Sequence, residues 1–319
     1  MDIFSAPHFR DDAEARKVLE AVLWPDGPVC PHCGVVNNAY PVTRKGNATG
    51  VYRCAEVECR KDFTVTMKTV MERSHIALHK WLQAFHLMTS SKKGVSAHQL
   101  HRTLGITYRS AWFMAHRIRE AMRAGGLKPP APLGGEGKIV EADETYHGKY
   151  DEPRERTKKR YYPMTREGKA GPRTKRAIVA LVERGGSVRS FHVPVANKAS
   201  VERIVTENIA RETRLHTDES RLYGDVKAHF ADHMTVKHSA GEYVRGDVHT
   251  NTIENVFSIF KRGMRGIYQH CSEKHLHRYL AEYDFRYNHR VKLGFNDTDR
   301  TLAAIKGAEG KRLTYRQSH

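Results

Sequence analysis

A chain of 319 residues, 39% hydrophobic and 28% charged, is long enough for two or three domains and apolar enough to bury ordinary cores. Its 54 Lys and Arg against 36 Asp and Glu leave a formal charge of +18 and a pI near 9.7, a surplus that favours a polyanionic partner, nucleic acid first. The longest apolar runs, such as 178 to 182, fall far short of the ~20 residues of a spanning helix, and the opening MDIFSAPHFRDD has no apolar signal stretch, so no membrane partner is expected and a cytoplasmic protein is.

Five cysteines, an odd number without export signals, argue against a disulfide framework and for reduced thiols. Four of them form two pairs, Cys30-Pro-His-Cys33 and Cys54-Ala-Glu-Val-Glu-Cys59, separated by 20 residues that include Gly46, Asn47 and Gly50. Zn2+ takes four thiolates tetrahedrally, so two short knuckles joined by a hairpin predict a zinc ribbon with Cys30, Cys33, Cys54 and Cys59 as ligands. Asp62-Phe-Thr-Val-Thr66 alternates and reads as its closing strand. Cys271 stands apart and reads as an ordinary thiol.

Residues 77 to 123 lack Pro and carry helical periodicity. Ser96 to Leu104 reads as a short capped helix, Gly105-Ile106 as a tight turn, and Thr107 as the opening of a second helix, which together make a helix-turn-helix pattern. Ala111, Met114, Ala115, Ile118 and Met122 form its buried stripe, while Arg109, Ser110, His116 and Arg117 point elsewhere. Early exposed residues of such a helix reach base edges, so Thr107 and Arg109 are the expected base contacts and Arg117 an expected phosphate contact; a helical hairpin that only packs is the alternative. Residues 124 to 138, AGGLKPPAPLGGEGK, read as a linker. The expected domains are a zinc ribbon over 1 to 75, the helical module over 76 to 124, a linker over 125 to 138, a catalytic domain over 139 to 295 and a tail over 296 to 319.

From 139 the pattern turns to strands: 139 to 145, then 176 to 183 and 187 to 193 as a hairpin about Gly185-Gly186, a helix over 200 to 211, strands at 214 to 218 and 233 to 238, and a helix over 251 to 265. The order β-β-β-α-β-α-β-α is that of an α/β, RNase H-like domain with a mixed sheet and helices on both faces. Asp143 lies on the first strand and Asp218 ends the fourth, its neighbour in such a fold. The helix from 251 has an apolar stripe of Ile253, Val256, Phe257, Phe260 and Met264, with Glu254 and Lys261 sharing another face. Carboxylates on three separate elements suit two Mg2+ ions acting on an in-line phosphate displacement, with Lys261 as a point charge for phosphate. Glu141, Glu144 and Asp225 rival the two aspartates, and Asn251 or Asn255 rival Glu254. The helix from 273 to 290 alternates aromatics with bases, and Tyr279, Tyr283 and Phe285 read as core.

In these residues the chain resembles the DDE transposases of bacterial insertion sequences, the group with an N-terminal zinc ribbon and an ISXO2-like catalytic domain. The carriers are CPHCG at 30 to 34, VSAHQLHRTLGITYRSAWFMAHRIR at 95 to 119, VEADETYHGKY at 140 to 150, LHTDES at 215 to 220 and HTNTIENVFSIFKRGMRGIYQH at 249 to 270. The resemblance implies an RNase H-like core with Asp143, Asp218 and Glu254 as a Mg2+ (or Mn2+) triad and Lys261 as accessory, double-stranded DNA of element ends and target as partner, and a homodimer or larger synaptic complex. Some relatives look as if they use Asn in the third position, which keeps Asn251 and Asn255 open beside Glu254. It also gives sense to residues 149 to 176, which hold eleven Lys or Arg against four acids and follow the Asp143 strand, where they could hold DNA. The expected reaction is strand cleavage followed by attack of the freed 3′-hydroxyl on target DNA. The alternatives are a DNA-binding regulator on an inactive core, and a nuclease that hydrolyses without strand transfer.

Overall fold

The structure is a computed structural model and describes residues 3–43, 50–125, 130–149 and 175–314. The expected basic segment of 149 to 176 lies, apart from its ends, outside the described residues. The chain divides into two compact units, Met1–Pro129 with Gly294–His319, and Pro130–Leu293. Among the described residues no helix is long and apolar enough to cross a membrane.

The first unit opens on α1 (Asp12–Leu23), capped by the Asp11 carboxylate, which accepts from the Ala13 and Glu14 amides. Three short antiparallel strands follow, β1 (Ala39–Pro41), β2 (Tyr52–Cys54) and β3 (Asp62–Phe63), with Ala39 opposite Cys54. Then come α2 (Leu78–Ser90), α3 (Ala97–Leu104) and α4 (Tyr108–Met122). Ser96 caps α3 by accepting from the Gln99 amide, and α3 stops at Gly105, whose φ of +60° suits a residue without Cβ. Thr107 then caps α4 by accepting from the Ser110 amide.

The stripe expected on α4 is buried, but so are His116 and Arg117, at 1% and 9% exposure, where the sequence pattern points them outward. The cause is the chain beyond 296. Rather than a bare tail it forms α8 (Asp297–Lys306), which packs on α1, α2 and α4; Thr301 meets His86 and Thr89 at 3.1 Å, and Lys311 donates to the Ala121 carbonyl. A Cβ at Gly307 would come within 2.4 Å of that same Ala121 oxygen, so the approach of α8 to α4 requires glycine there. With a second face of α4 covered, the Arg117 guanidinium lies over the Phe113 ring, 4.8 Å from its centroid.

The second unit is a mixed sheet of β4 (Ile139–Lys149), β5 (Lys175–Glu183), β6 (Val188–Val193), β7 (Arg214–Asp218) and β8 (Asp232–Val236), in the order β6-β5-β4-β7-β8. The hairpin strands pair antiparallel; β4 with β7 and β7 with β8 pair parallel. Strand β5 is apolar on both faces because both are covered. Ala177, Val179 and Leu181 face α5 (Lys198–Asn208), whereas Ile178, Ala180 and Val182 face α6 (Asn251–Gly263) and α7 (Leu276–Asn288). The helix expected between β7 and β8 is absent: two 3-10 turns, Arg221–Tyr223 and Val226–His229, replace it, because Gly224 and Asp225 interrupt a helically spaced trio, Tyr223, Val226 and Phe230, that still reaches the core.

On α7, Tyr279, Tyr283 and Phe285 are buried as expected, and Asp284 accepts from both the amide and the hydroxyl of Ser190 at 2.7 Å. Burial outweighs those bonds and pushes this carboxyl up to about 6. The folded chain therefore keeps a proton that the unfolded chain loses near pH 4, so stability falls as pH rises from about 4 to about 6 and stays lower above. Asp284→Asn can keep both Ser190 contacts without the charge. Thermal melts should show it above the parent by about 2 kcal/mol at pH 8 and level with it at pH 4; equal curves at both pH values would remove this account.

Candidate active site and metal centres

The ribbon brings its four cysteines together. Cys30 and Cys59 sulfurs lie 3.8 Å apart, Cys33 and Cys54 sulfurs 3.6 Å, and all four fall within 4.8 Å of one another. Four thiolates at 2.3 Å from one tetrahedral ion would stand about 3.8 Å apart, so the spacing fits Zn2+. The knuckle turn is closed by the Gly34 amide on the Cys30 carbonyl and the Cys30 amide on the Val35 carbonyl, both 2.9 Å, with Gly34 at a φ of +83°. Behind the thiols Trp24 meets Tyr52 and Phe63 edge-on at 5.5 and 5.7 Å between rings, and Tyr52 stacks on Phe63 at 6.0 Å. Cys271 belongs to the second unit and donates to the Ser272 carbonyl.

The acidic centre follows from strand register. β4 and β7 pair in parallel as Ile139 with Arg214, Val140 with Leu215 and Glu141 with His216. Two steps on, the same register sets Asp143 beside Asp218, just past the last paired residues and at the carboxyl end of β7. The chain runs outward from β4 through β5 and β6, then returns to β7 and β8 on the other side, so the two aspartates flank the point where strand order reverses, a crevice that open sheets use for ligands. Asp143, Glu144 and Asp218 offer oxygens within 4.8 Å of one another.

Glu144 is the member that strand alternation does not announce, since it leaves β4 on the α5 side, where Tyr223 donates to it at 3.1 Å and Ser220 at 3.4 Å. Asp218 accepts from the Ser220 amide at 3.0 Å. Burial first, then the Glu144, Asp218 and Glu254 carboxylates, push Asp143 up to about 8, and burial with Asp218 raises Glu144. Such crowding of like charges is what a divalent cation relieves, so the donor set fits Mg2+ or Mn2+.

Glu254 and Lys261 come from α6. Glu254 is half exposed, 3.4 Å from the Thr250 hydroxyl and 3.9 Å from the His238 ring, outside the tight trio but close enough to act on Asp143. Burial lowers Lys261 while the Asp143 charge raises it, so the ammonium lies in the field of that carboxylate. Of the rivals, Asp225 pairs with Lys198 at 3.2 Å, Asn251 and Asn255 are exposed, and Glu141 is wholly buried. In the first unit Thr107 and Arg109 are exposed at the start of α4, whereas Arg117 is buried.

The family model described as an ISXO2-like transposase domain matches residues 132–288, and one described as a transposase zinc-ribbon domain matches residues 10–62. The chain is also 29% identical, over 288 residues, to a Halobacterium salinarum protein named as an uncharacterized protein in transposable element ISH50, covering 87% of this chain and 91% of that protein.

Proposed function

We propose that this chain, whose sequence matches the models of a transposase zinc ribbon and an ISXO2-like transposase domain, is an insertion-sequence transposase that cuts DNA at the ends of its element and joins the freed 3′-hydroxyl to target DNA. The observation that carries the reading is the meeting of Asp143, Glu144 and Asp218 at the reversal point of the sheet, with Glu254 and Lys261 brought to them by one helix. The sheet order, with helices on both faces, supports an RNase H-like core.

Asp143 and Asp218 hold divalent metal together with Glu254, which is less engaged by neighbours than Glu144. When bound, Mg2+ or Mn2+ supplies an activated oxygen nucleophile and offsets charge on the leaving oxygen. Lys261 binds a phosphate oxygen beside Asp143 as a point charge. Glu144, fixed by Tyr223 and Ser220, keeps the mouth acidic and polar. The ribbon and the α3–α4 pair, read as a helix-turn-helix, bind the element ends, with Thr107 and Arg109 toward the bases. Arg117 is left out of that contact set because Phe113 and the surrounding helices enclose it. Two ends must be held at once, so the working form is a homodimer or larger assembly in the cytoplasm.

The test uses the DNA that flanks the reading frame, offered as a labelled duplex with supercoiled plasmid and Mg2+ or Mn2+. Covalent joining of the duplex to plasmid is the expected result. Nicks without joining would assign a nuclease, and binding with neither product would assign a regulator on an inactive core.

A further inference from the structure

Two residues before each paired aspartate, on the same strand face, stands a wholly buried polar group that the reaction does not use: Glu141 before Asp143 on β4 and His216 before Asp218 on β7. The Glu141 carboxylate accepts from Arg184 Nε at 2.6 Å, from the Thr252 hydroxyl at 2.8 Å and from the Ile253 amide at 3.0 Å, and the His249 ring lies 3.3 Å away. Arg184, from the turn after β5, also donates to the Asp247 and His249 carbonyls at 2.6 and 2.9 Å, and its Nη2 is 3.3 Å from His216 Nδ1. Burial and the nearby Arg184 and Arg214 hold that imidazole down at about 4, so it stays neutral beside the guanidinium.

Thr250, the residue before α6, makes no side-chain cap. The cap comes instead from β4, where the Glu141 carboxylate meets the Thr252 hydroxyl and the Ile253 amide, and an anion there also complements the helix dipole. The residue after Ile253 is Glu254. A buried ion pair is a poor way to gain stability, since well-packed apolar groups serve as well or better, but its directional bonds fix one position.

We infer that Glu141 is a positioning residue for the acidic centre: through Arg184, Thr252 and the Ile253 amide it locks the first turn of α6 to β4 and so sets where Glu254 stands relative to Asp143 and Asp218. The inference rests on the proposed metal-binding role of those carboxylates. Glu141→Gln keeps the shape but removes the charge that Arg184 faces and turns an N–H toward groups that themselves donate.

The experiment measures Mn2+ binding to the full zinc-loaded chain by electron paramagnetic resonance, beside thermal melts, for the parent, Glu141→Gln, Thr252→Val, Asp143→Asn and Val205→Ala. Val205 is buried against the opposite sheet face and serves as a control for destabilisation alone. Glu141→Gln should bind Mn2+ about tenfold or more weakly, the size of effect usual for partners that orient metal ligands. Thr252→Val, which loses a single hydroxyl bond, should weaken binding less and in the same direction, and decides the matter if Glu141→Gln does not fold. Val205→Ala should lower the melting temperature without changing Mn2+ affinity. Parent-like Mn2+ affinity in Thr252→Val and in folded Glu141→Gln, with Asp143→Asn impaired, overturns the positioning role alone. Equal Mn2+ binding by the parent and Asp143→Asn overturns the metal reading and this inference with it.

Discussion

Asp143→Asn should lose metal-dependent strand cleavage by on the order of 10³-fold while binding the flanking DNA as tightly as the parent does. The side chains are the same size, so β4 keeps its pairing with β5 and the Glu144 amide keeps an oxygen acceptor where Asp143 now supplies one at 2.7 Å. What disappears is a negative charge at the centre of the acidic trio. Burial and three neighbouring carboxylates already resist that charge, so without metal the variant should melt no lower than the parent. Loss of function without loss of stability separates a reacting group from a structural one. Gel assays of labelled duplex, with metal for cleavage and without it for binding, give both readouts; cleavage within about tenfold of the parent would remove Asp143 from the reacting set.

Period and turn residues in the sequence convey much of the second unit. The strand at 214 to 218 and the hairpin about Gly185 stand where alternation and turn residues put them. What the pattern could not convey is which surfaces meet. Residues 301 to 305 are too short an apolar run to announce α8, and the faces of α2 and α4 that it covers lie far upstream. Arg117 and His116 were misread for the same reason, because a second neighbour buries a helix flank that one stripe leaves open. Between β7 and β8 the expected element order placed a helix, and two 3-10 turns stand there instead.

The site divides along the same line. That Asp143 and Asp218 lie on neighbouring strands was legible from the RNase H-like element order, and the register of β4 with β7 then sets them side by side. Glu144 stood in the sequence only as a rival to Asp143, not as its companion, since alternation sends adjacent side chains to opposite faces and it joins the cluster from the α5 side of β4. Glu141 shares a face with Asp143 and so competes with it in the sequence; its burial against three hydrogen-bond donors, which no sequence states, sets it apart from the acidic cluster. The standing of Glu254 depends on how α6 docks, a tertiary matter from the outset.

For the first unit the largest expected effect is that of Cys54→Ser, or of stripping zinc with a chelator. Ribbon strands of two or three residues cannot hold their own register, and the wholly buried side chains behind them are few, Cys30, Cys54 and Phe63, with Trp24 and Tyr52 leaning on them. A structural zinc site contributes about 10 to 16 kcal/mol of apparent binding energy, far more than so small an apolar cluster provides. Cys54 is wholly buried beside Cys33 and ends the central strand of the ribbon, so a serine there removes a ligand where no water can replace it. Metal analysis should show the zinc lost, hydrogen exchange should show the amides of β2 and β3 unprotected, and binding of flanking DNA should fall sharply. Mn2+ binding, which depends on residues of the other unit, should persist. Cys271→Ser is the matched control, a thiol replaced outside the cluster with zinc retained. A Cys54→Ser chain that kept stoichiometric zinc and full DNA binding would show that the ribbon is held by its packing and that the four sulfurs converge for another reason.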